Sequence, residues 1–309
     1  MFPYSDSNKR YHTYNYFLKQ KFGAKVAKLS LDAGFSCPNI DGSKGYGGCT
    51  YCSGRGSGDF AADAALNLKE QLEQQKAVME KKWPNSKYIA YFQAHTNTHA
   101  PLEILKERFE SVLDCEGLVG ISIATRADCL DVAKADYLAQ LAEKTFVEVE
   151  LGLQSVFDIT GERINRCHSY AEFEQGFALL KERNIPVCVH LINGLPGENR
   201  EMMLESAYRV GQLRPHSMKL HLLHVIEGTK LAEQWRKGEF PLLEREDYVN
   251  ILCDQLELLP PEIVIQRITG DGDKRTLLGP LWSMDKKKVM NAIDMELARR
   301  DSWQGKRLG

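Results

Sequence analysis

Cys37, Cys49 and Cys52 share one glycine-rich stretch, Cys37-Pro38-Asn39-Ile40-Asp41-Gly42-Ser43-Lys44-Gly45-Tyr46-Gly47-Gly48-Cys49-Thr50-Tyr51-Cys52, at a C-x11-C-x2-C spacing. Three soft ligands on one loop point to a metal. A structural zinc site closes its tetrahedron with four protein ligands, whereas three leave a coordination position open. Thiolates also hold iron-sulfur clusters, and a cluster on three cysteines keeps one iron free for an exogenous ligand. Such an open iron turns an electron carrier into a reaction centre. Two plainer readings use the same residues: a zinc loop completed by His12 or Cys115, or three unrelated thiols packed in a core as small apolar side chains.

The elements that must position this loop can be read from periodicity. Ala27, Leu29 and Leu31 alternate with Lys28 and Ser30, the pattern of a strand with two distinct faces. Further strand patterns cover 87–95, 119–126, 147–154, 186–192 and 217–224, separated by helical stretches such as 66–83, 102–113 and 170–182. Pro101 suits a first helical position, and Ser169 with Glu172 makes a capping box. Later stretches read as helices at 244–259 and 285–302, with a strand at 262–268. Alternation of this kind implies a parallel sheet with helices outside it. Residues 1–24, rich in tyrosine and phenylalanine, read as an arm rather than a core element.

One face of the strands collects Ile121, Ile123, Val147, Val149, Leu151, Leu153, Val187, Val189, Leu191, Met218, Leu220 and Leu222, and is expected to pack against helices. The opposite face collects Ser30, Tyr91, Gln93, His95, Ser122, Arg126, Glu148, Glu150, Gln154, Cys188, His190, Lys219 and His221. Polar groups in that number are costly in a packed interior unless paired. A closed eight-stranded barrel fills its centre with branched apolar side chains. Six strands with a polar inner face instead predict an incomplete, splayed barrel whose lumen holds ligands. Internal Glu–Lys and Glu–Arg bridges are the plainer account, and account for about three of these residues on the pairing rule for buried charges.

The chain has 309 residues, 43% hydrophobic and 27% charged, with a net charge of -2, an ordinary globular composition. Both ends are basic and the middle acidic, an asymmetry that hints at a nucleic-acid face but that solvated helix surfaces also produce. No apolar run approaches the roughly 18 residues of a membrane span, and the first residues lack a signal peptide's basic and apolar regions. A cytoplasmic protein with no membrane partner is therefore expected. Eight cysteines are too sparse for a disulfide scaffold.

The loop ending in Cys49-Thr50-Tyr51-Cys52 resembles that of the radical S-adenosylmethionine (SAM) superfamily. Leu31-Asp32-Ala33-Gly34-Phe35-Ser36-Cys37-Pro38-Asn39, Ala124-Thr125-Arg126-Ala127-Asp128, Glu150-Leu151-Gly152-Leu153-Gln154-Ser155 and Gly194-Leu195-Pro196-Gly197-Glu198 are similar to the branch containing the catalytic subunit of Elongator, and within it to a small YhcC/YtqA-type group. The resemblance, which runs from about residue 25 to the end, implies an α/β fold: a partial (β/α)6, TIM-like barrel at 25–228, between the arm at 1–24 and a small C-terminal α/β extension at 229–309. It also implies that Cys37, Cys49 and Cys52 ligate a [4Fe-4S] cluster and that SAM binds the open iron. One electron from an external reductant then yields a 5'-deoxyadenosyl radical that removes a hydrogen atom from substrate. The cofactors carry the hard chemistry, and the protein supplies position and exclusion of water.

By the same resemblance, Tyr51 lies near the adenine, and Gln154 contacts SAM. Arg166 would grip its carboxylate bidentately. Gly194 and Gly197 would allow close backbone approach to the adenine. Where the superfamily often has Gly-Gly-Glu for the methionine amino group, this chain has Gln93-Ala94-His95-Thr96-Asn97-Thr98, so Gln93, Thr96 or Asn97 would supply the acceptor oxygen. His190, His221 and Lys219 are candidates for handling substrate protons and Cys188 for donating a hydrogen atom; the plainer reading of each histidine is a hydrogen-bonded core residue.

Three functions follow as alternatives. One is radical modification of tRNA, at a wobble uridine as in Elongator; the second is radical modification of a metabolite or peptide. The third is a non-enzymatic iron-sulfur or zinc protein, disfavoured by the polar lumen. For tRNA, phosphates would rest on Lys286, Lys287, Lys288, Arg299 and Arg300, or on Lys9, Arg10, Lys19 and Lys21. The residues after the barrel are too few for Elongator's acetyltransferase domain, and the arm is too short for its tRNA-binding extension, so the radical half of that reaction alone is expected.

Overall fold

Seven strands pair side by side in one all-parallel sheet. The computed structural model describes residues 2–56, 58, 61–270 and 272–308. In chain order its strands are β1 (Val26–Leu31), β2 (Lys87–Phe92), β3 (Leu118–Thr125), β4 (Phe146–Gln154), β5 (Val187–Asn193), β6 (Ser217–Leu222), β7 (Val225–Ile226), β8 (Val264–Arg267) and β9 (Leu277–Gly279). The sheet runs β1-β2-β3-β4-β5-β6-β8, while β7 and β9 make a separate antiparallel pair. The order follows the sequence because each crossover carries a helix over the outer face, as parallel neighbours require.

The two-faced pattern holds. The outward set from Ile121 to Leu222 is buried in one continuous core under the helices Leu68–Lys82, Leu102–Glu110, Val132–Lys144, Tyr170–Lys181 and Arg200–Gln212. Each such aliphatic side chain stabilises by about 1.5–3 kcal/mol through its burial, so the outer face supplies the cohesion and leaves the inner one free for polar groups. The Ser169 and Glu172 capping box is formed. Pro101 is the N-cap of Leu102–Glu110 rather than its first residue.

Two expectations are corrected. The sheet has seven strands, not six: the stretch read as a later, separate strand is β8, bonded to β6. Residues 1–24 are also not a loose arm. They contain the helix Tyr14–Phe22, capped by Thr13, with Phe2, Tyr11 and Leu18 buried. Thr13 bridges Ile265 of β8, and Phe17 packs by the first residue of β4, Phe146, and by His216 just before β6. An incomplete barrel leaves a gap between its edge strands, and this helix packs against β1 and β8. It covers edges whose unpaired backbone would otherwise be exposed.

Candidate active site

The cysteine loop leaves the C-terminal end of β1 and is held in place from outside. Gly48, at φ 71°, adopts a left-handed turn that favours glycine. Its carbonyl accepts from Asn165 Nδ2 at 2.7 Å, and Asn39 Nδ2 donates in turn to the carbonyl of Asn165. Thr50 N–H donates to the Ile164 carbonyl at 2.9 Å, and Leu231 N–H to Thr50's at 2.9 Å. Lys44 pairs with Asp128 at 2.9 Å and Glu172 at 2.6 Å. Segment 158–168, beyond β4, thus acts as a template for a loop with little secondary structure of its own.

The three thiols are in no disulfide and are half-buried. A hydrogen bond from Cys52 is the main influence holding the Cys49 thiol down to about 6, against burial, with help from Tyr51, Arg126 and Asn39. Cys49 therefore supplies a thiolate near neutral pH, the form that binds metal. Among the described residues no three His, Cys, Asp or Glu side chains converge as ligands of one metal ion. Three thiolates match a [4Fe-4S] cube, which takes one per iron and leaves its fourth iron open, whereas a closed zinc site takes four protein ligands. The two proposed zinc partners lie elsewhere: His12 stacks on Tyr4 and bonds near Glu262, and Cys115 packs on the outer core.

The remaining predicted cofactor contacts lie on the same side of the sheet, with different freedom. Tyr51 packs on the apolar cluster of Ile164, Leu195 and Leu231. Gln93 and Thr96 continue β2, their backbone N–H groups bonded to Leu31 and Ser36. Asn97 is fully buried and donates to the carbonyls of Phe92, Ala94 and Ala124, so its amide fastens the end of β2. His95, read as a strand residue, lies beyond β2 at φ 60°, its imidazole against Gly56. Gln154 ends β4 at φ 67° after a register shift at Gly152, a bulge that re-aims its side chain. Gly194 and Gly197 have φ of 88° and 79°. A Cβ on Gly197 would meet the tip of the exposed Arg163 side chain, which can swing away, so it is the positive φ that favours glycine there.

Arg166 departs from its expected role. Its guanidinium is 1% exposed and donates to the carbonyls of His168, Leu153 and Ser155 at 2.6–2.9 Å, and to Asp158. No two-pronged face is left for a carboxylate. Arg126 was not singled out as a site residue, and its charge bears on both Cys49 and Cys37. It is fixed by Asp128 and by the carbonyls of Arg166 and Cys167. The Ala-Thr-Arg-Ala-Asp motif held that signal, as a cation two residues from its own carboxylate.

Inside the sheet, polar groups gather in two layers. The deeper one centres on Glu148, which accepts from Lys28 (3.0 Å), Ser217 (3.1 Å), Gln266 (2.6 Å) and Tyr14 of the N-terminal helix (3.2 Å). The second centres on Glu150, which accepts from Tyr91 (2.7 Å), Ser122 (2.9 Å), His190 (2.8 Å), Lys28 and Lys219. Internal pairing thus explains many more of these residues than the three expected. The lysines hold both carboxyls low despite burial, Glu148 to about 2. Cys188 is fully buried between Glu150 and Ser217, and burial pushes its thiol far up, so it is no accessible hydrogen donor. Above this floor the exposure rises: Gln93, Ala124, Gly152, Gln154, His190, Ile192 and His221 are half-buried. Exposure on the inner face thus rises from the two buried carboxylate layers toward the strand ends that carry the cysteine loop.

A partial parallel barrel with a three-thiol loop beyond its first strand and a polar inner face defines the class of enzymes that do chemistry at a cluster with an open iron. The chain belongs to the radical SAM superfamily: that family's model matches residues 45–208, and the Radical_SAM C-terminal domain matches 215–299. Membership makes the protein an enzyme whose cofactors are a [4Fe-4S] cluster and SAM. It is 52% identical to YtqA of Bacillus subtilis over 99% of this chain and 95% of that one. The tRNA uridine(34) acetyltransferase of Methanocaldococcus infernus is 29% identical over 53% of this chain, which spans 32% of that protein. The solved structure of Methanocaldococcus infernus Elp3 superposes with a TM-score of 0.67 at 19% identity, covering 90% of this chain and 64% of that one. That likeness establishes the fold. No helix among the described residues is long and apolar enough to cross a membrane.

Proposed function

We propose that this enzyme modifies a base of tRNA by hydrogen abstraction, with a wobble uridine as the first candidate. The observation that carries the reading is the neutralised polar network beneath a half-buried polar inner face, which suits a hydrogen-bonding heterocycle better than an apolar metabolite. An anticodon loop presents unstacked bases, and a base swung outward fits a barrel mouth of this kind. The similarity to a protein named for uridine 34 of tRNA supports the same substrate.

When bound, the cluster and SAM would supply radical chemistry for hydrogen abstraction, given an external one-electron donor. Cys37, Cys49 and Cys52 would hold the cluster, and Arg126 sets its charge near Cys37 and Cys49. Tyr51, Gln93, Thr96, Gln154, Gly194 and Gly197 line the proposed SAM side. Asn97 and Arg166 position the ends of β2 and β4 beneath it. Glu150 holds His190 and Lys219 where a substrate enters.

The basic residues offered to phosphates are reduced in number. Lys9 pairs with Asp294, Arg10 with Asp301, Lys19 with Asp6, Arg299 with Glu296 and Arg300 with Asp254. Lys21, Lys287 and Lys288 stay exposed and are the proposed phosphate contacts. This pairing favours a second reading, a small metabolite or peptide substrate. The deciding experiment compares tRNA nucleosides by mass spectrometry between a deletion strain and its parent, alongside salt-dependent tRNA binding by purified protein. A changed uridine-derived nucleoside supports the first reading; an unchanged profile without salt-dependent binding selects the second.

A further inference from the structure

We propose that His190 and His221 form a recognition pair that reads the imide edge of a uracil-type ring, an N–H flanked by carbonyls, an inference that rests on the RNA reading above. The two imidazoles stand on neighbouring inward positions of β5 and β6, their ring centroids 5.2 Å apart. His190 Nε2 lies 2.8 Å from Glu150 Oε2. Glu150 is ionised between Lys28 and Lys219 and so only accepts. The hydrogen-bond network thereby assigns the proton to Nε2 and leaves His190 Nδ1 with its lone pair as a fixed acceptor.

His221 is the unfixed member. Neither of its ring nitrogens has a hydrogen-bond partner among the described residues, nor has His190 Nδ1, and none of these atoms is sealed from solvent. A half-buried imidazole on a polar inner face with both nitrogens open has donor and acceptor capacity for a ligand. Burial, then the charges of His190, Arg267 and Lys219 hold His221 well below its usual range, while burial and Lys219 hold His190 to about 4. Both rings therefore stay neutral and keep an acceptor nitrogen. Gly152 faces His190 in register, and the absence of a side chain there lets the amide of Gln154 fold over it, beside the pair. A Cβ there would lie 2.7 Å from Gln154 Nε2. His190 can accept from the ring N–H while His221 donates to an adjoining carbonyl.

The test uses cluster-loaded protein with SAM and an anticodon stem-loop RNA carrying uridine at the wobble position, read by fluorescence anisotropy. The comparison RNA carries N3-methyluridine there, which removes the donor. Loss of one such buried hydrogen bond predicts about tenfold weaker binding of the methylated RNA by the parent protein. In His190→Ala that difference should shrink to about twofold or less, because the paired acceptor is gone. His221→Asn, which keeps a donor and an acceptor, should retain part of the affinity. Equal binding of both RNAs by the parent overturns the recognition pair while leaving the RNA reading intact. A full methylation penalty in a folded His190→Ala, checked by circular dichroism, overturns it as well. Absence of RNA binding overturns both; the comparison in the parent needs no variant to fold.

Discussion

Asn165 donates through Nδ2 to the carbonyl of Gly48 at 2.7 Å, and so ties the segment beyond β4 to the residue just before the second cysteine. Asn165 itself sits at φ 54°, a conformation in which asparagine is among the tolerated residues. The cysteine loop is thus shaped by a partner more than a hundred residues away in sequence. A change beyond β4 should therefore register at the cluster.

The first prediction concerns the ligands. Cys37→Ala, Cys49→Ala or Cys52→Ala each abolishes the cluster, whereas Cys115→Ala, Cys129→Ala and Cys253→Ala leave it intact. Cys129 is the strictest control, because it is buried close enough for the charge of Cys37 to bear on it. Iron analysis and visible absorption of reconstituted variants decide the matter; full iron content in the Cys49 variant would end the assignment.

The second concerns Asn165. Asn165→Ala removes donors to Gly48 and Tyr46 and places a Cβ-bearing residue without a polar tip in the left-handed region. The expected loss is about 2 kcal/mol, combining an unmade hydrogen bond with backbone strain. Asn165→Gly keeps the conformation and loses the bonds alone, so it should fall between parent and alanine. Thermal unfolding and iron retained after gel filtration are the measurements, and a variant that matches the parent in both removes Asn165 from the clamp.

The sequence carried much of the fold because the period-two pattern was strong from Ile121 to Leu222, and one face of each strand is decided by burial alone. The seventh strand escaped because β8 is four residues long, with alternation too brief to show that it belongs to the same sheet. The N-terminal helix was read as an arm because its aromatic residues are interleaved with polar ones; the partners of this segment, Phe146, His216 and Ile265, lie on or beside three distant strands. The cysteines were legible because their spacing is local. Arg166 was misjudged for the converse reason: which carbonyls a guanidinium meets is set by the turn of the chain from Leu153 to His168, invisible in a linear motif.

The third prediction follows from that correction. Arg166→Ala should act on folding before it acts on cofactor affinity, because the carbonyls of Leu153, Ser155 and His168 lose their donor in a buried place. A loss on the order of 3 kcal/mol is expected for charge-assisted bonds to buried groups. Arg166→Lys retains charge but reaches fewer carbonyls and should recover only part of it. Urea unfolding sets the stability scale, and equilibrium SAM binding on the folded fraction separates the roles. A stable Arg166→Ala protein with lost SAM binding would restore Arg166 as a carboxylate ligand.

The last prediction is an acid sensitivity that begins above the carboxylate range. His190, His168 and His224 are each held to about 4, first by burial and then by the charges of Lys219, Arg166 and Lys286 respectively. In the unfolded chain each returns to an ordinary value near 6.5. Between those values the unfolded state binds protons that the folded state refuses, so stability is full above about pH 6.5 and falls as pH drops toward 4. Each histidine contributes at most about 1.4 kcal/mol per pH unit in that window. Glu148, held to about 2 by Lys28 against its burial, adds its own loss only below its usual value of 4.5. Urea unfolding at pH 7.5, 6.0 and 5.0 should thus show most of the decline above the ordinary carboxylate range, and His190→Gln should make that decline shallower. Equal stability at pH 7.5 and 5.0 would mean that these imidazoles are not kept neutral by the fold.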